Sequence, residues 1–220
     1  SDVVPSFWIE LAEIISINYS KYDGFVVLHG TDTMSYSASA LSFMLEDLEK
    51  PVVFTGSQLP IGMLRTDGKE NLISAVEIAA AKDEQGHALV PEVCICFDNM
   101  LMRGNRTSKV NSDHFRAFRS ENCPPLAEAG ISIKYNRSVI RKPEDWDSRP
   151  AFHTTLDTRV SILKLHPGIT EQVVEHILCG QESRAVIIET YGAGNAPSKE
   201  WFISTVREAS GMGKILLNVT

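Results

Sequence analysis

The sequence predicts an α/β fold: a largely parallel sheet with flanking helices, in a larger N-terminal domain followed by the start of a smaller C-terminal α/β domain. Three observations carry this. Short, almost wholly apolar β-branched runs alternate with segments of helical period, the pattern of strands covered on both faces and joined by crossover helices. The rhythm lapses between Arg103 and Asp157 and then resumes. The chain's 220 residues suffice for one full domain and part of another.

Each element follows from its residues. Pro5 to Asn18 sets Trp8, Leu11, Ala12 and Ile15 at helical spacing, with Pro5 suited to a first turn. Gly24 to Leu28 reads as a strand ending at His29-Gly30, and Met34 to Leu48 as a helix burying Ala38, Leu41, Phe43, Leu45 and Leu48. Pro51 to Phe54 is the next strand, running into the turn-rich Thr55-Gly56-Ser57-Gln58-Leu59-Pro60. Asp67 is placed to cap a helix through Asn71 to Ala81, and Glu92 to Phe97 is a third strand. Beyond Arg103 only Ile131 to Tyr135 alternates as a strand. Residues 137–157 mix Arg, Lys, Pro, Asp and Ser and read as an interdomain linker, which assigns 1–136 to the N-terminal domain and 158–220 to the partial C-terminal one. In the latter, Val160 to Leu165, Ala185 to Thr190 and Ile215 to Val219 read as strands. Thr170 caps a helix to Leu178, and Ser198 to Ser210 forms another. A buried parallel strand with nothing after it to cover its face predicts a polypeptide cut short.

Composition excludes several function classes. Twenty-one basic residues against 28 acidic ones leave a net charge of −7 with no Lys/Arg block, so no nucleic-acid surface is expected. An apolar fraction of 43% with 22% charged residues is that of a folded globular chain. Apolar runs such as Ala185–Ile188 are far too short to span a bilayer, so no membrane partner is expected. Cys94, Cys96, Cys123 and Cys179 lack C-x-x-C spacing and a His-rich neighbourhood, which argues against a metal site. Cys94 and Cys96 alternate within Val93–Phe97, so both thiols point the same way from a strand, as small buried hydrophobes in a reducing compartment. Gly192-Ala193-Gly194 lacks the G-x-G-x-x-G spacing of a dinucleotide loop, and no cofactor is expected.

Ligands of parallel α/β sheets bind beyond the carboxyl ends of strands. Three such ends are rich in polar residues: His29-Gly30-Thr31-Asp32-Thr33, Thr55-Gly56-Ser57-Gln58 and Tyr191-Gly192-Ala193-Gly194-Asn195. A further polar stretch, Arg103-Gly104-Asn105-Arg106-Thr107-Ser108-Lys109, follows a strand in an otherwise apolar region. On the residues alone Thr31, Asp32 and Thr33 are either helix caps or a site, Lys109 either a solvated surface lysine or a buried functional one, and His29 either a core histidine or a ligand.

The segment Tyr22-Asp23-Gly24-Phe25-Val26-Val27-Leu28-His29-Gly30-Thr31-Asp32-Thr33-Met34 resembles the second active-site signature of the bacterial-type L-asparaginases. The resemblance continues through Ala40–Leu45, Lys50-Pro51-Val52, Thr55-Gly56-Ser57-Gln58, Arg103–Lys109 and Gly192–Pro197 in the family's order, is closest to the type I cytoplasmic branch, and covers nearly the whole chain. It implies hydrolysis of the side-chain amide of L-asparagine to L-aspartate and ammonia, in a cytoplasmic homodimer or homotetramer with a shared active site. Residue by residue, Thr31, Asp32 and Lys109 match the family's Thr-Asp-Lys constellation. Ser1, followed by Asp2, matches a substrate-contacting position. Ser57 falls where a backbone carbonyl meets the substrate's amide, and Asn195 matches a residue reaching the neighbouring subunit's site. The family also begins with a strand and a T-G-G-T-I-type loop bearing a first nucleophilic threonine, and it continues to an acidic residue beyond the position of Thr220. The resemblance therefore implies truncation at both ends and an isolated 220-residue polypeptide that is inert, poorly soluble or both.

Other readings remain: a glutaminase-asparaginase, an asparaginase-like amidotransferase subunit, a non-catalytic α/β binding module that keeps the pocket without the chemistry, or an oligomeric scaffold regulated by a small ligand.

Overall fold

A computed structural model describes residues 3–146 and 149–220. They form two compact units divided between Thr155 and Leu156. The first unit contains α1 (Pro5–Asn18), β1 (Phe25–Leu28), α2 (Met34–Met44), β2 (Leu45–Glu46), β3 (Val52–Thr55), α3 (Gly68–Ala80), β4 (Val93–Phe97) and β5 (Met100–Arg103). A 3-10 turn at Gly104–Arg106 follows, then β6 (Ser108–Lys109), β7 (Phe118–Arg119), β8 (Ala127–Ala129), β9 (Ile133–Tyr135) and β10 (Ala151–Phe152). The second unit contains β11 (Val160–Lys164), α4 (Glu171–Cys179), β12 (Ala185–Glu189), α5 (Glu200–Gly211) and β13 (Ile215–Val219).

The main sheet has the order β1-β3-β4-β5-β8-β9. Its first half is parallel, with Val26 opposite Val53 and Val53 opposite Cys94. Its second half is antiparallel, which the expectation of parallel crossovers did not include. The reversal occurs at Asp98-Asn99, whose φ angles of 47° and 61° give the backbone of a tight two-residue hairpin. Such a short connection permits only antiparallel pairing.

The buried β3 and β4 explain the apolar runs. Val53, Cys94, Cys96 and Leu101 form a cluster with Ala75, Ile78 and Ala79 of α3, while the alternate residues Val52, Phe54, Ile95 and Phe97 are also buried. The two strand thiols thus sit in one cluster as expected, and burial pushes Cys96 up to about 12 and Cys94 well above the ordinary thiol value. Helix α2 packs across β3, β4 and the 3-10 turn. Gly104 makes the last crossing possible: a Cβ there would lie 3.0 Å from the Ala38 carbonyl, the Ser42 hydroxyl and the Val93 carbonyl.

Helix α2 stops at Met44, short of Leu48, because Leu45 turns extended and pairs with β10. Leu45 and Leu48 are buried, but Phe43 is 71% exposed, contrary to its expected place in the core. The segment read from composition as a linker docks on the first unit over much of its length. Ala151-Phe152 pairs with Leu45-Glu46, Phe152 packs edge-on to Tyr19 at 5.5 Å, Arg141 pairs with Asp47, and Trp146 stacks on His87 at 4.2 Å.

The second unit is a parallel sheet in the order β11-β12-β13. Leu163, Val186 and Ile188 are buried with Val174 and Leu178 of α4 and Phe202 and Ala209 of α5. In the opposite set of positions Val160, Ile162, Ile215 and Leu217 are exposed. Among the described residues no helix is long and apolar enough to cross a membrane.

Candidate active site

Two polar loops leave the main sheet at one edge because the register of β1 and β3 sets Leu28 opposite Thr55. The His29 N–H donates to the Thr55 carbonyl at 2.9 Å, carrying the pairing one residue past the strands. Immediately beyond, the backbones pass so closely that a Cβ on Gly56 would lie 2.3 Å from the His29 carbonyl oxygen. Only glycine fits there without a shift.

The first loop carries Thr31 and Asp32. Helix α2 begins behind them with Thr33 at its N-cap position, and that side chain makes no capping bond. The side chains of Thr31 and Asp32 turn instead to a residue far along the chain. Lys109 Nζ donates to Thr31 Oγ1 at 2.9 Å and to Asp32 Oδ1 at 2.6 Å. The lysine side chain is only 16% exposed, whereas that of Asp32 is 92% exposed. The hydrogen bond from Lys109 and its positive charge hold the Asp32 carboxyl below the usual carboxylate range. The solvated-lysine reading of Lys109 therefore fails on its burial.

Short-range structure aims this lysine. Lys109 lies on β6, opposite Phe118 of β7, and Phe118 packs edge-on against Phe97 with ring centroids 4.9 Å apart. The Thr107 hydroxyl donates to the Arg103 carbonyl at 2.7 Å, and the Ser120 hydroxyl to the Arg106 carbonyl at 2.8 Å, fixing both arms of the hairpin. A cavity of about 640 Å³ adjoins the triad, lined by Asp32, Tyr36, Ser39, Arg106, Lys109 and Arg119 among others.

The first loop is also backed by a polar relay that the sequence did not reveal. Trp8 Nε1 donates to Ser37 Oγ at 2.8 Å, Ser37 Oγ meets His29 Nε2 at 2.9 Å, and His29 Nδ1 meets the Gly30 carbonyl at 2.8 Å. A carbonyl only accepts, so Nδ1 is the donor to Gly30 and the other ring nitrogen meets the Ser37 hydroxyl. Every polar group in the relay is thereby used, and His29 is a satisfied packing histidine whose bond orients the residue before Thr31.

The second loop carries Ser57, and the residues behind it were read only as helix start and helix body. Asp67 does stand at the N-cap of α3, but its carboxylate makes no bond to that helix's free N–H groups. It accepts from the Gln58 N–H with both oxygens at 3.0 Å and from the Leu59 N–H at 3.2 Å. Asn71 Nδ2 donates to the Gly56 carbonyl at 2.9 Å and to Asp67 Oδ2 at 3.1 Å. The available signal was an asparagine at helical spacing with Ala75, Ile78 and Ala79; in the structure it is only 4% exposed.

Asn195 belongs to the second unit, in an exposed turn after β12 where the Tyr191 N–H donates to the Asn195 carbonyl at 2.9 Å. Ser1 and the neighbouring Asp2 lie outside the described residues. Among the described residues no group of His, Cys, Asp and Glu is arranged to hold a metal ion.

The family model described as asparaginase, N-terminal, matches residues 1–141, and the glutaminase/asparaginase C-terminal domain matches residues 159–220. L-asparaginase 1 of Escherichia coli (strain K12) is 44% identical over 220 residues, covering 100% of this chain and 62% of its own. The 60 kDa lysophospholipase of Mus musculus is likewise 44% identical over 220 residues, which make up 38% of that protein. The crystal structure of L-asparaginase I from Vibrio cholerae O1 biovar eltor str. N16961 matches with a TM-score of 0.88 and 42% identity, covering 100% of this chain and 65% of that one. The chain thus spans less than two thirds of the length of each of these relatives. With the two matched segments in family order and the fold reproduced over its whole length, the chain belongs to the asparaginase family.

Proposed function

We propose that the protein hydrolyses the side-chain amide of L-asparagine to L-aspartate and ammonia, with Thr31, Asp32 and Lys109 as the reacting and proton-handling groups. The observation that carries this is the pair of hydrogen bonds from one largely buried lysine to a threonine hydroxyl and a carboxylate. A threonine hydroxyl at its ordinary pKa is a poor nucleophile and needs an adjacent base. Lys109, when neutral, takes the Thr31 proton and so activates oxygen for attack on the carboxamide carbon. The resulting ammonium returns that proton to the departing nitrogen as the C–N bond breaks and ammonia leaves. The neutral amine then takes a proton from water as its oxygen attacks the Thr31 ester, and returns it to the threonine oxygen as the ester C–O bond breaks to release L-aspartate. Asp32 orients the amine and stabilises its protonated form, a role like that of the aspartate in a serine triad. Ser57 and Ser1 contact the substrate in this reading, and Asn195 completes the site of a neighbouring subunit in a homo-oligomer. Family membership supports these assignments, and the free thiols suit a reducing, cytoplasmic setting.

The test is Lys109→Met in the protein expressed from its complete gene, assayed by ammonia release from L-asparagine. Turnover is expected to fall by about 10³-fold or more, with the melting curve little changed. A variant that keeps its rate removes Lys109 from the reaction. Wild-type protein that releases no ammonia refutes the proposed activity.

A further inference from the structure

The network under the second loop extends the proposed function and rests on it. Ser57 contacts the substrate in the proposed function, and its loop is held by side chains rather than by a sheet. After β3 ends at Thr55 the backbone runs through Gly56-Ser57-Gln58-Leu59-Pro60 without strand partners. Gln58 Nε2 donates to the Ser112 and His114 carbonyls at 3.0 and 3.1 Å, and the backbone itself is held from the start of α3. The carboxylate of Asp67 gathers the N–H groups of Gln58 and Leu59, the two residues after Ser57. The amide of Asn71, one helical turn on, grips the Gly56 carbonyl on the residue before it. Asp67 and Asn71 are themselves joined at 3.1 Å, so the clamp closes around Ser57 from both sides. Between them Gly68 faces the serine, and a Cβ there would come within 3.1 Å of Ser57 Cβ. The other end of Asn71 is engaged too: its Oδ1 accepts the Asp98 N–H at 3.1 Å, tying the clamp to the β4–β5 hairpin. The Thr66 hydroxyl donates to the Leu59 carbonyl at 2.9 Å and completes the far side.

We propose that Asp67 and Asn71 are positioning residues for substrate binding, holding Ser57 and the peptide groups on either side of it in the place where the asparagine side chain is met. Neither side chain reacts. A carboxylate suits the task because it only accepts, and three bonds from two neighbouring N–H groups fix the peptide planes on the far side of Ser57. Because the two polar groups are spent on the loop, they do not cap α3, which is why the N-cap position carries an aspartate without a capping bond.

The experiment combines hydrogen exchange with steady-state kinetics on the protein expressed from its complete gene. In Asp67→Ala the Gln58 and Leu59 amides are expected to exchange about tenfold faster or more, and KM for L-asparagine to rise about tenfold with kcat within a few-fold of wild type. Asp67→Asn, nearly isosteric, keeps one acceptor while opposing an NH₂ group to the loop N–H groups, and should fall between wild type and Asp67→Ala in both readouts. It serves where Asp67→Ala does not fold. Unchanged exchange at Gln58 and Leu59 in a folded variant overturns the clamp. Faster exchange with an unchanged KM overturns its role in substrate binding. A fall in kcat alone does the same, since it would place the effect on the chemistry. Exchange is read without substrate, so the clamp is tested even if wild-type protein releases no ammonia and the proposed reaction fails.

Discussion

The loops after β1 and β3 leave the same edge of one sheet and are fastened by opposite means. In the first, the groups that would react are those that hold: Thr31 and Asp32 bind Lys109 directly, and Asp32 stands almost wholly in solvent. The relay behind that loop, from Trp8 through Ser37 and His29, grips Gly30 and touches neither reacting side chain. In the second loop Ser57, the substrate contact of the proposed function, is passive, and residues beneath it, among them the buried Asn71, do the holding. The difference teaches where to expect a separation of activity from stability. Under the proposed function, chemistry should be removable from the first loop while the fold stays intact, whereas the second loop should lose function by being loosened.

The contrast can be broken most directly at Asp32. Asp32→Asn is expected to lower kcat/KM for L-asparagine by about 10²-fold or more, because an amide does not stabilise the lysine ammonium as a carboxylate does. Its melting temperature should match wild type within experimental scatter, since the side chain is 92% exposed. A large fall in melting temperature would show that the first loop, too, is structural. Gly56→Ala probes the seam between the loops. Its Cβ would lie 2.3 Å from the His29 carbonyl, so the backbones must part, with an expected loss of about 1–3 kcal/mol in urea unfolding. Unchanged stability would mean that the two loops are not coupled there. The smallest effect serves as a control that involves neither loop. Burial holds Tyr19 and Tyr135 up to about 12, from an ordinary value of 10.0. Folding favours their neutral forms, so the stability they contribute is complete below pH 10 and lost as pH climbs toward about 12. Tyrosinate absorbance in the folded protein should show two residues ionising late, and denaturation should bring them forward.

The sequence was informative where the chain is simplest. Val52-Val53-Phe54 and Val93–Phe97 are strands buried on both faces, and their continuous β-branched and aromatic runs identify them. Met100–Arg103 gave no such signal, because Met-Leu-Met suits a helix as well as a strand and the Asp98-Asn99 reversal lacks the glycine that usually marks a hairpin. The Leu45-Glu46 and Ala151-Phe152 pair is too short for any periodicity, and its partners are remote in sequence. The site divides the same way. Thr31, Asp32 and Lys109 stood out through family resemblance, while their own chemistry left capping and solvated readings open. Their meeting depends on a pairing across 77 and 78 residues that no local pattern encodes. Asp67 illustrates a subtler limit. Its position at the start of α3 was legible, but the choice between the helix's N–H groups and those of Gln58 and Leu59 is made by tertiary structure.

The close crossing at Gly104 has a consequence for the spacing of the triad. Helix α2 starts two residues after Asp32, and it rests at Ala38 and Ser42 on the very peptide from which the chain proceeds to Lys109. The helix therefore works as a ruler: one end bears the hydroxyl and carboxylate, and its side butts against the base of the lysine's hairpin. Tilting or sliding α2 would carry both halves of the constellation together, so the separation of amine and hydroxyl is set by a rigid rod and the missing side chain of one glycine.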